Sequence, residues 1–147
     1  MGIVTTVADG RRSGCLVGFH TQCSIAPPRH VVFVSKKNHT HDVAAAATAL
    51  ALHLPDRSER RLAEIFGELS GDDVDKFRLV EWDEGPEGLP ILRGCAGWIA
   101  GHIVDRLGSL EDDHTGFVIE PFAGDVRAPL HQLGFQAVQD MLPGHEA

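Results

Sequence analysis

No stretch of this chain approaches the roughly 20 consecutive apolar residues that a membrane-spanning helix needs. Its amino terminus, MGIVTTVADG, has neither a basic leader nor a long apolar region, so no secretory signal is expected. Positive charge is also scarce. The chain carries 13 Lys and Arg against 21 Asp and Glu, a net charge of -8. That balance excludes a nucleic-acid partner, whose phosphates are bound chiefly by clustered cations. The three cysteines are odd in number and lack paired spacing, which excludes a disulfide framework and a zinc knuckle. Cys15, Cys23 and Cys95 therefore read as thiols in a reducing compartment, and the expected location is cytoplasmic. No G-x-G-x-x-G or Walker sequence follows a strand pattern, which argues against a Rossmann domain or a P-loop NTPase. There is no internal repeat, low-complexity tract or internal domain boundary. With 147 residues, 43% hydrophobic and 23% charged, the chain reads as one globular domain spanning 1–147.

What is present reads as strands broken by turns. IVTTV is β-branched and leads into Asp9-Gly10, a strong hairpin signal, with CLVGF as the return strand. Gly14 and Gly18 would let a backbone or a flat ligand approach closely. Pro27-Pro28 closes the next loop, and HVVFVS is a short buried strand. THDVAAAATAL turns helical, with Thr40 as the expected N-cap. ALALHL returns to strand. DRSERRLAEIFGEL then reads as a helix, with Asp56 and Glu59 at capping-box spacing and Leu62, Ile65, Phe66 and Leu69 on one face. DDVDKF suggests a short helical turn, EWDEGPEGLPIL an ordered surface loop, and CAGWIAGHIVDRL and TGFVIEPF two further strands. The segment 124–147 is expected to be a C-terminal extension with one short helix. The sum is an α+β, mainly β domain: a mostly antiparallel, six-stranded, Greek-key-like barrel with two or three peripheral helices.

The chemistry concentrates in SKKNHTHD. His39 and His41, two apart, could chelate a metal with a third ligand such as His114, but neither a H-x-H-x-D-H run nor a cupin-type glutamate follows. His53 and His102 sit in apolar strand patterns and read as structural histidines with satisfied hydrogen bonds. The same segment also suits an anion. Ser35 and Thr40 offer hydroxyls, Asn38 an amide, Lys36 and Lys37 charge, and the helix start free backbone N–H groups. On the residues alone, a polar turn with a helix cap is an equal reading.

Taken in order, VTTVADGRRSGCLVGFHTQCSIAPP, VFVSKKNHTHD and DDHTGFVIE resemble the flavin reductase-like, FMN-binding split-barrel family over roughly Ile3 to Phe122. The resemblance implies an FMN-dependent NAD(P)H:flavin oxidoreductase, with FAD as the alternative flavin and NADH or NADPH as donor. It implies that the isoalloxazine lies along Cys15, Leu16 and Val17, mostly against backbone. Gln22, Cys23 and Ser24 would line the ring edge and ribityl chain. Ser35, Lys36, Lys37, Asn38 and Thr40 would take the phosphate, and His114 would face the nicotinamide as the catalytic residue. No resident metal is implied. A homodimer and a flavin-dependent monooxygenase partner are further implications. A non-catalytic flavin carrier and, behind it, a small His-ligated metalloenzyme are the alternatives. The chain departs from the family in three ways. The helix ahead of the first strand has no counterpart before VTT. Leu16 and Gly18 replace polar residues. The late turn reads DDH, with Asp112 where the family has Gly.

Overall fold

A computed structural model describes residues 1–127, 129, 131–142 and 144. Nine strands, two α-helices and three 3-10 turns follow one another along these residues. Strands β1 (Gly2–Ala8) and β2 (Arg11–Val17) form the expected hairpin, with Asp9 at φ 50 and Gly10 at φ 74. Both turn residues are left-handed, the twist that matches a two-residue hairpin. Next come β3 (His20–Ile25), β4 (Pro28–Ser35), α1 (His39–Ala46), β5 (Ala49–Pro55) and α2 (Arg60–Glu68). The short β6 (Trp82–Glu84) and β7 (Pro90–Leu92) precede the long β8 (Cys95–Leu107) and β9 (His114–Val126).

Seven strands make one antiparallel sheet in the order β2-β1-β5-β8-β9-β4-β3. β2 and β3 are opposite edges of that sheet, yet only Gly18 and Phe19 separate them in the chain. The sheet must therefore curl until its edges meet at that corner. Its concave face buries Val4, Cys15, Val17, Val32, Val34, Leu50, Leu52, Phe117 and Ile119 as one core. α2 covers the outside of β1 and β2 through Leu62, Ile65 and Phe66, which pack with Ile3. β1 is thus buried on both faces. Its Thr5 and Thr6 are satisfied by donating to Pro90 O at 2.7 Å and Ala49 O at 2.8 Å. α1 plugs one mouth of the barrel, with Val43 and Ala47 packed on Ala8.

The mainly β, antiparallel split barrel stands as expected, with several local corrections. The sheet has seven strands rather than six, because HTQCSI is a strand of its own. It is largely exposed, so no apolar alternation announced it. The segment read as a surface loop is a two-stranded β6–β7 ribbon, and its Leu89, Ile91 and Leu92 are buried. Asn38, not Thr40, caps α1, because its side chain accepts the Thr40 N–H at 2.9 Å. Asp56 and Glu59 make no capping box. Glu59 is the N-cap without a side-chain bond, and Asp56 accepts from Ser58 instead. A Cβ on Gly14 would meet Val4 O and the Phe66 ring, so what approaches Gly14 is the core rather than a ligand. β9 runs on to Val126, three residues into the expected extension. The extension's helix is a 3-10 turn at Phe135–Ala137, and Leu133 and Val138 pack under α2 with Ala63. Residues 128, 130, 143 and 145–147 of that extension lie outside the described residues.

Candidate functional site

β4 is paired along its first half with β3, and the last rung is the Phe33 N–H donating to Phe19 O at 2.9 Å. Beyond that rung the chain bends at Gly18–Phe19 and β2 diverges from β4. A wedge opens between the two edges. It is lined by Cys15, Leu16, Val17, Gly18 and Phe19 on one side, Phe33, Val34, Ser35 and Asn38 on the other, and His114 above. The wedge holds about 110 Å³, and a second hollow of about 260 Å³, bounded by Gly108, Asp112 and Asp113, shares its Phe19, Phe33 and His114 walls. Together these reach the lower end of the size range of small-molecule sites.

Strand edges supply the chemistry of the wedge. In a strand, the N–H and C=O of one residue point to the same side and alternate along the chain. Gly14 O is turned outward, where it accepts from Lys76 Nζ at 3.0 Å. By the same alternation Leu16 presents its N–H and C=O to the wedge. On the facing edge, Phe33 donates toward β3, so Ser35 two residues on directs its N–H to the same side. The N-terminus of α1 adds a positive dipole end beside Ser35 and Asn38. Facing backbone groups and a small hydroxyl beside a helix start fit a flat ring with an anionic tail.

The twelve residues expected at the site divide in two. Cys15, Leu16, Val17, Ser35, Asn38 and His114 line the wedge. The Cys15 and Val17 side chains belong to the barrel core, whereas Leu16 packs outward beneath α2. Burial pushes the Cys15 thiol up to about 11, so Cys15 contributes surface rather than a nucleophile. The other six are not brought there. Gln22, Cys23 and Ser24 lie on β3 at a bulge, exposed or half-exposed, and the Gln22 amide donates to Ser24 O at 3.1 Å. Lys36 Nζ donates to Ser109 O at 2.5 Å, and the Lys37 N–H donates to Ser35 Oγ at 3.4 Å. Thr40 is buried, with its hydroxyl paired to Ser13 Oγ at 2.9 Å.

His114 is built in by register. It stands opposite Ser35 in the β4–β9 ladder, and Asp113 O accepts the Lys36 N–H at 2.9 Å. Asp113 Oδ1 lies 2.7 Å from His114 Nδ1, and that bond holds the Asp113 carboxyl below the usual carboxylate range. Asp112 is likewise lowered because it accepts the Ser109 N–H, which closes the turn. Phe19 leans on His114, ring centroids 5.6 Å apart. Phe19 and Phe33 are wall residues that sequence reasoning missed. The only signal was a bulky aromatic directly after the corner glycine.

His39, His41 and His114 do not gather around one point. His39 pairs with Asp72 at 2.8 Å, and His41 Nε2 lies 2.9 Å from the Thr115 hydroxyl on the other side of α1. Among the described residues no group of three or more His, Cys, Asp or Glu is placed to hold a metal ion. His53 is the structural histidine expected of it: its ring lies between Ile3 O and the Leu92 N–H, both at 3.1 Å. His102 is exposed instead, paired with Glu87 and stacked on Phe122.

Known proteins share this fold. The chain is 25% identical over 126 residues to the 4-hydroxyphenylacetate 3-monooxygenase reductase component of Klebsiella oxytoca, covering 82% of this chain and 70% of that one. A flavin reductase domain protein from Arthrobacter sp. FB24 superposes with a TM-score of 0.78 at 25% identity, over 90% of this chain and 82% of that one. An FMN-binding protein from Thermus thermophilus gives the same score and identity over 86% and 69%. The Flavin reductase like domain matches residues 1–138, and the chain belongs to that family of oxidoreductases.

Proposed function

We propose that this chain is an FMN-dependent NAD(P)H:flavin oxidoreductase. The observation that carries this reading is the wedge itself, where the Leu16 and Ser35 edges, the start of α1 and His114 meet. A bound flavin would supply the hydride acceptor, at N5, for a reduced nicotinamide. The chain's own residues bind and orient. Leu16 and Ser35 present backbone groups to the ring edges, and the Ser35 hydroxyl, the Asn38 amide and the first turn of α1 receive the phosphate. Asp113 accepts the His114 Nδ1–H, which leaves Nε2 as the ring nitrogen for a ligand. Phe19 and Phe33 wall the opening against water. Passage of reduced flavin to a monooxygenase, a homodimeric state and a cytoplasmic location complete the proposal. The Klebsiella relative, named as a monooxygenase reductase component, supports the first. No helix among the described residues is long and apolar enough to cross a membrane.

The test is FMN and FAD titration of the purified chain, followed by NADH and NADPH oxidation with and without added flavin. Flavin-stimulated oxidation is expected, and absence of any flavin affinity would sink the reading. One observation favours flavin carriage without turnover: Phe19 rests against His114, where a nicotinamide would have to stack. On that reading flavin binds, NAD(P)H does not bleach it, and Phe19→Ala restores bleaching.

A further inference from the structure

At the barrel mouth opposite α1, two histidines face one another across β3 and β4. His20 pairs in register with Val32, and His30 lies two residues before Val32. Side chains two apart share a strand face. Val32 and Val34 are core residues, so His30 and His20 lie on the concave, inward face. Neither ring is fully exposed. His20 Nδ1 lies 3.3 Å from His30 Nε2, with ring centroids 5.5 Å apart. Burial lowers the pKa of both rings, that of His20 to about 4, so both are neutral at pH 7.

Two neutral imidazoles in contact satisfy each other poorly, because one N–H···N bond is all the pair can make. The same two atoms suit a metal. Two Zn–N bonds of about 2.0–2.1 Å at a tetrahedral angle place their nitrogens about 3.3–3.4 Å apart. We propose that the His20–His30 pair is a two-imidazole chelate for a borderline divalent ion, with Zn²⁺ and Cu²⁺ the best matched, and solvent completing the coordination. Binding needs no net proton loss. The N–H between the rings moves to the far nitrogen of its own ring, His20 Nε2 or His30 Nδ1, and both facing nitrogens then donate lone pairs. The ion would staple β3 to β4 next to the Gly18–Phe19 corner. The Met1 amino group, which donates to Leu133 O at 2.9 Å, is near enough to lower the His20 pKa further, and its charge limits the affinity. This inference is independent of flavin binding.

Its test uses the full chain without a polyhistidine tag, titrated with Zn²⁺ by calorimetry and with Cu²⁺ by electron paramagnetic resonance. His20→Leu and His30→Leu should each weaken the first Zn²⁺ by more than about tenfold, and the wild-type Cu²⁺ spectrum should show coupling to two nitrogens. His30→Gln retains a hydrogen-bonding group should the leucine variants not fold, and it should abolish the rise in melting temperature that Zn²⁺ gives the wild type. Equal Zn²⁺ affinity in the wild type and His30→Gln, or a Cu²⁺ spectrum unchanged by the substitution, would overturn the proposal.

Discussion

β2 and β3 are the two edges of one sheet, adjacent in the chain, and both were expected to touch a flavin. They are built differently. β2 is packed from outside by α2, its Gly14 carbonyl is held by Lys76 Nζ, and Cys15 and Val17 point into the core. Lys76 is buried, bonded also to Phe66 O at 3.3 Å near the end of α2, and its pKa is lowered by desolvation. β3 has none of this cover, carries a bulge, and leaves Ile25 86% exposed. An edge strand offers defined backbone groups only where something packed behind it fixes its position. That is why six of the expected residues, on β2, β4, α1's cap and β9, meet at the wedge while those on β3 do not.

The largest effect should come from removing the packing behind β2. Phe66→Ala is expected to cost about 3–5 kcal/mol in urea unfolding, and to abolish FMN binding with it. Unimpaired FMN binding in a folded Phe66→Ala protein would show that β2 holds its edge without that packing. Acid should act next, through His53. Its folded pKa of about 4 lies below the unfolded 6.5, because burial disfavours the cation. The unfolded chain therefore binds more protons, and stability present above pH 6.5 is lost as pH falls toward 4, by about 3 kcal/mol from this group. Chemical denaturation across that range checks it, and His20 adds in the same direction.

Within the wedge, Ser35→Ala should weaken FMN by about 1.5–3 kcal/mol, the worth of a hydrogen bond to a charged oxygen. Riboflavin, which lacks the phosphate, should bind as before. Equal losses for both ligands would move the phosphate elsewhere. Asn38→Ala removes the cap of α1 and should cost about 1 kcal/mol of stability, read from the thermal midpoint. The smallest effect belongs to β3, where Gln22→Ala should change stability by less than about 0.5 kcal/mol. A larger loss of FMN affinity in that variant would show that an assembled state brings β3 to the cofactor.

Much of the fold was legible because its signals are local. Asp9-Gly10 dictated a type of turn, the β-branched runs dictated strands, and Leu62, Ile65 and Phe66 dictated a buried helix face. The Ser35–Asn38 turn was legible as a polar run at the end of an apolar strand, whereas His114 stood out only through the family resemblance. The β6–β7 ribbon was not legible. Its acidic and Gly-Pro composition hides the fact that Leu89, Ile91 and Leu92 reach back to the core. Lys36 and Thr40 looked like ligands because sequence shows which groups a side chain carries but not which partner has already taken them. Ser109 O and Ser13 Oγ are 73 and 27 residues away.

From the sequence alone came six of the seven strands of the main sheet, both α-helices, the mainly β class and the polar turn that is the candidate anion site. Propensity, turn geometry and alternation act over a few residues and need no distant partner. Tertiary structure alone decided that the sheet parts at Gly18–Phe19, that His114 stands opposite Ser35, and that His20 faces His30. Those facts follow from register and curvature, which are set when strands far apart in the chain pack around one core.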